Sequence, residues 1–145
     1  MENDSQLKKE KWSWLNHKPD NMININCSEE DNFFKWWCII MTPIIKLTPR
    51  EIDLMACLLK QRFELSKKIP DSTLIDSLLM NHDTRQKILD ECKISLEHFY
   101  VLMSNLRNKG IITESGIRSE LIPQISKDNN GYCQLLFLFK DSFIK

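Results

Sequence analysis

The residues able to do chemistry in this chain are few and scattered. Its 145 residues hold five cysteines, three histidines and three glycines. The cysteines are Cys27, Cys38, Cys57, Cys92 and Cys133; the number is odd, and no two stand in a Cys-x-x-Cys spacing. Cys57 and Cys92 fall inside amphipathic helical patterns, which suits the reduced, buried thiols of a cytosolic protein. His17, His82 and His98 give no His-x-x-x-His pair for a metal. His82 precedes Asp83, but Asp83 stands where a helix start needs a capping oxygen. Asp90-Glu91-Cys92 sets carboxylates beside a thiol, and its position suits a solvated helix edge with one buried sulfur. Gly110, Gly116 and Gly131 all sit at turns, so no glycine-rich loop is left to cradle a phosphate. These spacings point to a chain that is not an enzyme, with no metal, no cofactor and no small-molecule substrate.

What remains is binding chemistry, and charge limits its kind. Lys and Arg together number 20 and so do Asp and Glu, for a net charge of zero. A protein that grips nucleic acid over a broad surface gains most of its affinity by neutralising phosphates and is normally basic. Hydrophobic residues make up 42% of the chain, enough for one modest core with an arm to spare. The longest unbroken apolar run, residues 36–41, is far too short to span a bilayer, so no membrane partner is expected. The polar opening, residues 1–11, is followed by no apolar stretch of the kind a secretory leader needs.

Residues 1–31 read as an arm. They hold four lysines against seven carboxylates, and their apolar residues keep no sustained period, although a short helix over 5–15 fits. Trp12 and Trp14 break the polarity; rings of that size are costly to leave in water, so the arm must dock on its own globule or on a partner. Phe33-Phe34-Lys35-Trp36-Trp37-Cys38-Ile39-Ile40-Met41 is the most aromatic stretch and reads as a strand or buried extended segment ending at Pro43.

Helix signals then follow one another. Thr48-Pro49-Arg50-Glu51 combines a cap, a first-position proline and a capping-box glutamate, and predicts a helix over 48–64 with Ile52, Met55, Ala56, Leu59 and Phe63 inward. A second helix over 71–80 turns Leu74, Ile75, Leu78 and Leu79 inward, and a third over 83–92, capped at Asp83, buries Ile88, Leu89 and Cys92. Ser95 caps a fourth over 95–109, with Phe99, Leu102, Met103 and Leu106 inward and Gly110 closing it. Ile111-Ile112-Thr113, a turn at Glu114-Ser115-Gly116 and Ile117 begin a β-hairpin. A second apolar stretch at 121–125, an Asn130-Gly131 turn and an apolar strand over 132–139 complete the pattern.

Four helices and a hairpin over residues 47–139 resemble a winged helix-turn-helix. Ile94-Ser95 before the last helix, with Leu106-Arg107-Asn108-Lys109-Gly110-Ile111-Ile112 at its end, is similar to the signature of MarR-like proteins. Leu47-Thr48-Pro49-Arg50-Glu51 looks like the opening of LuxR-type domains, but the stretch 60–70 is too long for that family. The fold expected is mainly α with a small β-hairpin: residues 1–46 as N-terminal arm and aromatic docking segment, residues 47–145 as a winged helix-turn-helix domain.

The resemblance implies that the 95–109 helix would enter a DNA groove, and its outward residues can be checked against that task. They are Leu96, Glu97, His98, Tyr100, Val101, Ser104 and Asn105, with no Arg or Lys, one carboxylate and two aliphatics. Good base readers are Arg, Lys, Asn and Gln. Only Arg107 and Lys109 add positive charge, at the far end, and the turn at Glu114 is acidic where a wing tip is normally basic.

Two readings follow. In the first, the chain is a structural assembly protein docking on other subunits through Trp12, Trp14, Phe33, Phe34, Trp36, Trp37, Leu96, Tyr100 and Val101. Leu47–Ile52, Leu106–Ile112 and Leu121-Ile122-Pro123, with the Lys-over-Arg bias of AT-rich coding, are similar to small winged-helix proteins of crAss-like tailed phages. That resemblance implies a neck or ring subunit near the portal of a virion, present in the host cytoplasm before assembly, with further copies of itself and portal or neck proteins as partners. In the second reading the chain is a cytoplasmic, DNA-binding transcriptional regulator. Arg85, Lys87 and Lys93 would meet phosphates, His98, Tyr100, Ser104 and Asn105 would meet bases, and Arg107 and Lys109 are further DNA contacts at the far end of the helix.

Overall fold

Four of the five helices among the described residues begin where a side-chain oxygen can take the free N–H groups of a first turn. The structure, a computed structural model, describes Ile25, Cys27 and residues 30–125. Trp12, Trp14, Cys133, the helix expected over 5–15, the Asn130-Gly131 turn and the strand expected over 132–139 lie outside them. The described residues are mostly helical with one small antiparallel sheet: α1 (Glu30–Ile45), α2 (Pro49–Ser66), α3 (Ser72–Leu79), α4 (His82–Cys92), α5 (Leu96–Asn108), then β1 (Ile112–Thr113), β2 (Gly116–Ile117) and a 3₁₀ turn at Ser119–Leu121.

Thr48, Asp71, Asn81 and Ser95 are the caps. For α4 this corrects the cap expected at Asp83. Asn81 Oδ1 accepts the Thr84 N–H at 2.9 Å, and Asp83 sits exposed within the first turn, where its charge faces the positive end of the helix. Helix α4 ends in a left-handed residue, Lys93 at φ 53°, with the Lys93 and Ile94 N–H groups both bonded to the Leu89 carbonyl. Ser95 then opens α5 two residues later.

The aromatic segment over 33–41 is a helix and not the strand expected. Phe and Trp favour strands, but Phe34, Trp37, Cys38 and Met41 recur at helical spacing, and these four are buried. Burial of that stripe overrides the local preference. Pro43 lies within the last turn of the helix rather than ending it. The turn terminates at Lys46, another left-handed residue, whose N–H reaches the Thr42 carbonyl.

Helix α2 is the hub and packs against α1, α3, α4 and α5. Its Leu54, Met55, Leu58 and Leu59 join Phe34 and Met41 of α1, Leu79 of α3, Ile88 of α4 and Met103 and Leu106 of α5 in one continuous core. Leu74, expected inward, is exposed; the short α3 uses Ile75 and Leu79 instead. The link between residues 46 and 47 does not divide the core, because α1 packs along α2 and its Phe34, Trp37, Cys38 and Met41 belong to the same buried cluster. Trp37 fixes this arrangement from a distance: its ring N–H donates to the Leu121 carbonyl at 2.9 Å across 84 positions of sequence.

The hairpin is minimal. Ile112 pairs with Ile117 and Thr113 with Gly116 around Glu114-Ser115, and the Arg118 N–H to Ile111 carbonyl bond adds one rung. Gly116 adopts φ +116°, and a Cβ there would lie 2.8 Å from Asp76 Cγ. Asp76 of α3 is held by Arg62 of α2 at 3.1 Å, so the hairpin rests directly on a cross-helix ion pair.

Candidate functional site

Helix α5 turns two faces to two tasks. Phe99, Leu102, Met103 and Leu106 enter the core as expected. The outward face carries Leu96, Tyr100 and Val101 in the open, Val101 at 57% exposure, with Glu97, Ser104, Asn105 and Arg107 beside them. His98 is half-buried. No Lys or Arg emerges from this face before Arg107. The nearest cation comes from α4: the Arg85 guanidinium lies 5.8 Å from the Tyr100 ring centre, at cation–π distance. Its Nε is buried and has no acceptor, an unmet donor beside an exposed aromatic ring. Lys87 in the middle of α4 and Lys93 between α4 and α5 are exposed.

Lys109 has a different occupation from the DNA contact expected. Its ammonium donates to both carboxylate oxygens of Glu51, at 2.9 Å to Oε2, and to the Lys46 carbonyl at 2.7 Å. Glu51 is 1% exposed and is also the capping-box residue of α2: it accepts the Thr48 N–H at 3.1 Å, and its own N–H donates to Thr48 Oγ1 at 3.4 Å. Burial pushes the Glu51 carboxyl upward, but the Lys109 and Thr48 hydrogen bonds outweigh it and hold the group below its ordinary value. One lysine thereby ties the end of α5 to the α1–α2 junction. The capping box was legible in the sequence; a partner 58 residues away carried no local signal.

The aromatic residues of α1 divide. Phe34 at 1% exposure and Trp37 at 8% are core residues, their apolar surface already buried by the chain itself and closed to a partner. Phe33 is half-buried, edge-on to Phe34 with ring centres 5.2 Å apart. Trp36 is exposed, and so are Ile39 and Ile44, which with it form an outer stripe at helical spacing. The two isoleucines were missed because a strand reading alternates faces where a helix brings positions three and eight apart to one side.

Among the described residues no three His, Cys, Asp or Glu side chains gather where they could hold a metal ion. No described helix is long and apolar enough to cross a membrane. Comparison with protein-family models, with curated proteins and with solved structures finds no match.

Proposed function

We propose that this chain is a non-enzymatic assembly protein, a winged-helix module that binds protein subunits, the first of them a second copy of itself. In this reading α2, α3 and α4 form the supporting helices, α5 is the helix that would otherwise read DNA, and β1–β2 is a reduced wing. The carrying observation is the outward face of α5, where Leu96, Tyr100 and Val101 stand exposed and no base-reading cation accompanies them. Support for self-association comes from α1, which is apolar on its outer stripe as well as its inner one; a helix apolar all round is normally covered on both sides. Two dissimilar apolar faces on one chain suit head-to-tail pairing, which closes into rings when the rotation allows. A place in the neck of a tailed-phage virion, with Trp12 and Trp14 of the arm reaching a neighbour, follows from the sequence resemblance.

The test is light scattering on the full-length chain and on two double variants, Ile39→Glu with Ile44→Glu, and Tyr100→Glu with Val101→Glu. The wild type is expected to form multimers and each variant alone a monomer. A mixture of the two variants is expected to form heterodimers, since each keeps one intact face. A monomeric wild type at high concentration, or variants that multimerise unchanged, would overturn the reading.

The DNA-binding alternative has one observation in its favour: Arg85, with its unmet Nε, lies against Tyr100 of α5, and Lys87 of α4 and Lys93 after it are exposed. It requires a labelled duplex to shift at low salt, with affinity falling steeply as salt rises and falling again on Lys87→Ala.

A further inference from the structure

We propose that Cys57 and Cys92 are a modification site, a dithiol that a peroxide converts to an intramolecular disulfide joining α2 to α4. The two sulfurs lie 2.7 Å apart, and the Cys92 thiol also reaches the Asp53 carbonyl at 3.6 Å. A disulfide needs its sulfurs to close to about 2.05 Å, so a small side-chain adjustment completes the bond. Both residues are half-buried, which leaves a path for a small oxidant; Cys38, by contrast, is buried, and its thiol is pushed up to about 12 by that burial.

The pair is also electronically uneven. The hydrogen bond between them holds the Cys92 thiol below its ordinary value, against burial and the nearby Asp53 and Glu91 charges and with help from Arg50. The same bond, followed by burial, raises Cys57. Cys92 is therefore the nucleophile, since the thiolate and not the thiol attacks. Its sulfur takes one oxygen of hydrogen peroxide, the O–O bond breaks, and the other oxygen leaves as water after taking a proton. The Cys57 sulfur then attacks the Cys92 sulfenic acid, the S–O bond breaks and a second water departs with the Cys57 proton. Two thiols and one peroxide become one disulfide and two waters; the sulfurs lose two electrons and the peroxide oxygens gain them. This assignment rests on the helix packing alone and stands whether or not the chain proves to be an assembly protein.

The test treats the reduced full-length chain with hydrogen peroxide under native conditions, then alkylates and weighs it. The expected result is a fall from five alkylatable thiols to three, with a peptide map joining Cys57 to Cys92. In Cys57→Ser the reaction should stop at a Cys92 sulfenic acid that dimedone captures, and in Cys92→Ser the loss of thiols should disappear. A thermal melt before and after oxidation supplies a second readout: the oxidised wild type should melt higher and return to its starting value with dithiothreitol. Five thiols surviving treatment, or a bond mapped to any other pair, would overturn the proposal.

Discussion

The two ends of α5 are built to opposite specifications. At the C-terminal end Leu106 is fully buried, Lys109 clamps a buried carboxylate, and Gly110 at φ +73° turns the chain into the hairpin. At the N-terminal end the chain leaves a left-handed Lys93, Ser95 caps the helix with one hydrogen bond, and Leu96, Tyr100 and Val101 face outward. The residues at 106–112, read in the sequence as resembling a winged-helix signature, thus do structural work, and the exposed residues carry whatever recognition the helix performs. A fold signature of this kind says where a helix is fixed and says little about what its free end meets.

Breaking the fixed end should produce the largest effect. Lys109→Met leaves the buried Glu51 carboxylate without its partly exposed counter-charge and should cost about 3 kcal/mol in urea unfolding, because the stranded carboxylate keeps its desolvation penalty. Val101→Ser at the free end should change stability by no more than about 0.5 kcal/mol. Adding Glu51→Gln to Lys109→Met should recover part of the loss, since the stranded charge is gone. The same pair sets an acid limit. The folded-state value of Glu51 lies below its unfolded value, so its contribution is complete above the unfolded carboxyl value of about 4.3 and is lost as pH falls through the lower, folded one. Urea midpoints measured from pH 7 down to pH 3 should therefore fall more steeply in the wild type than in the double variant. Parallel acid limbs would show that the Glu51–Lys109 pair does not set the acid limit.

The hairpin that follows allows a finer cut through the fixed end. Gly110 and Gly116 both have positive φ, but only Gly116 has a neighbour in the way. Gly110→Ala meets nothing within 4 Å and should lose only the backbone preference, about 1 kcal/mol. Gly116→Ala should lose that and more, about 2 to 3 kcal/mol, because its Cβ must displace Asp76 from Arg62. Equal losses in thermal or urea unfolding would mean that the hairpin can lift from α3 at little cost.

Much of this frame was legible in the sequence, and the parts that were not share a physical cause. Caps and turns are local chemistry, so Thr48, Ser95, Gly110 and the turn at Glu114-Ser115 were readable, the cap of α3 was narrowed to Asp71 or Ser72, and the inward set of α5 followed from its period. Helix α1 was misread because its residue types favour strand while their spacing favours helix, and packing on α2 decides for spacing. Leu54 and Leu58, both fully buried, were left out of the inward set of α2 because a helix surrounded by four others buries more than one stripe. The Glu51–Lys109 pin and the Cys57–Cys92 pair join residues 58 and 35 positions apart, and no spacing rule reaches that far. The outward face of α5 was readable as soon as its inward face was known.

The one predicted gain in stability lies at the free end and tests how loosely that end is set. Lys93 holds φ 53° without the glycine such a position favours, and its side chain is exposed. Lys93→Gly removes the steric cost of a Cβ in the left-handed region, about 1 kcal/mol, but gives the unfolded chain more freedom in return. A net gain of about 0.5 kcal/mol in urea unfolding is expected. In the assembly reading the variant should form the same multimers as the wild type, since Lys93 lies off the exposed apolar face. In the DNA reading it should lose one phosphate contact and flatten the salt dependence of binding by about one unit of slope. One variant therefore measures the strain in the turn and separates the two functions, because its gain in stability is the same in both and its effect on binding is not.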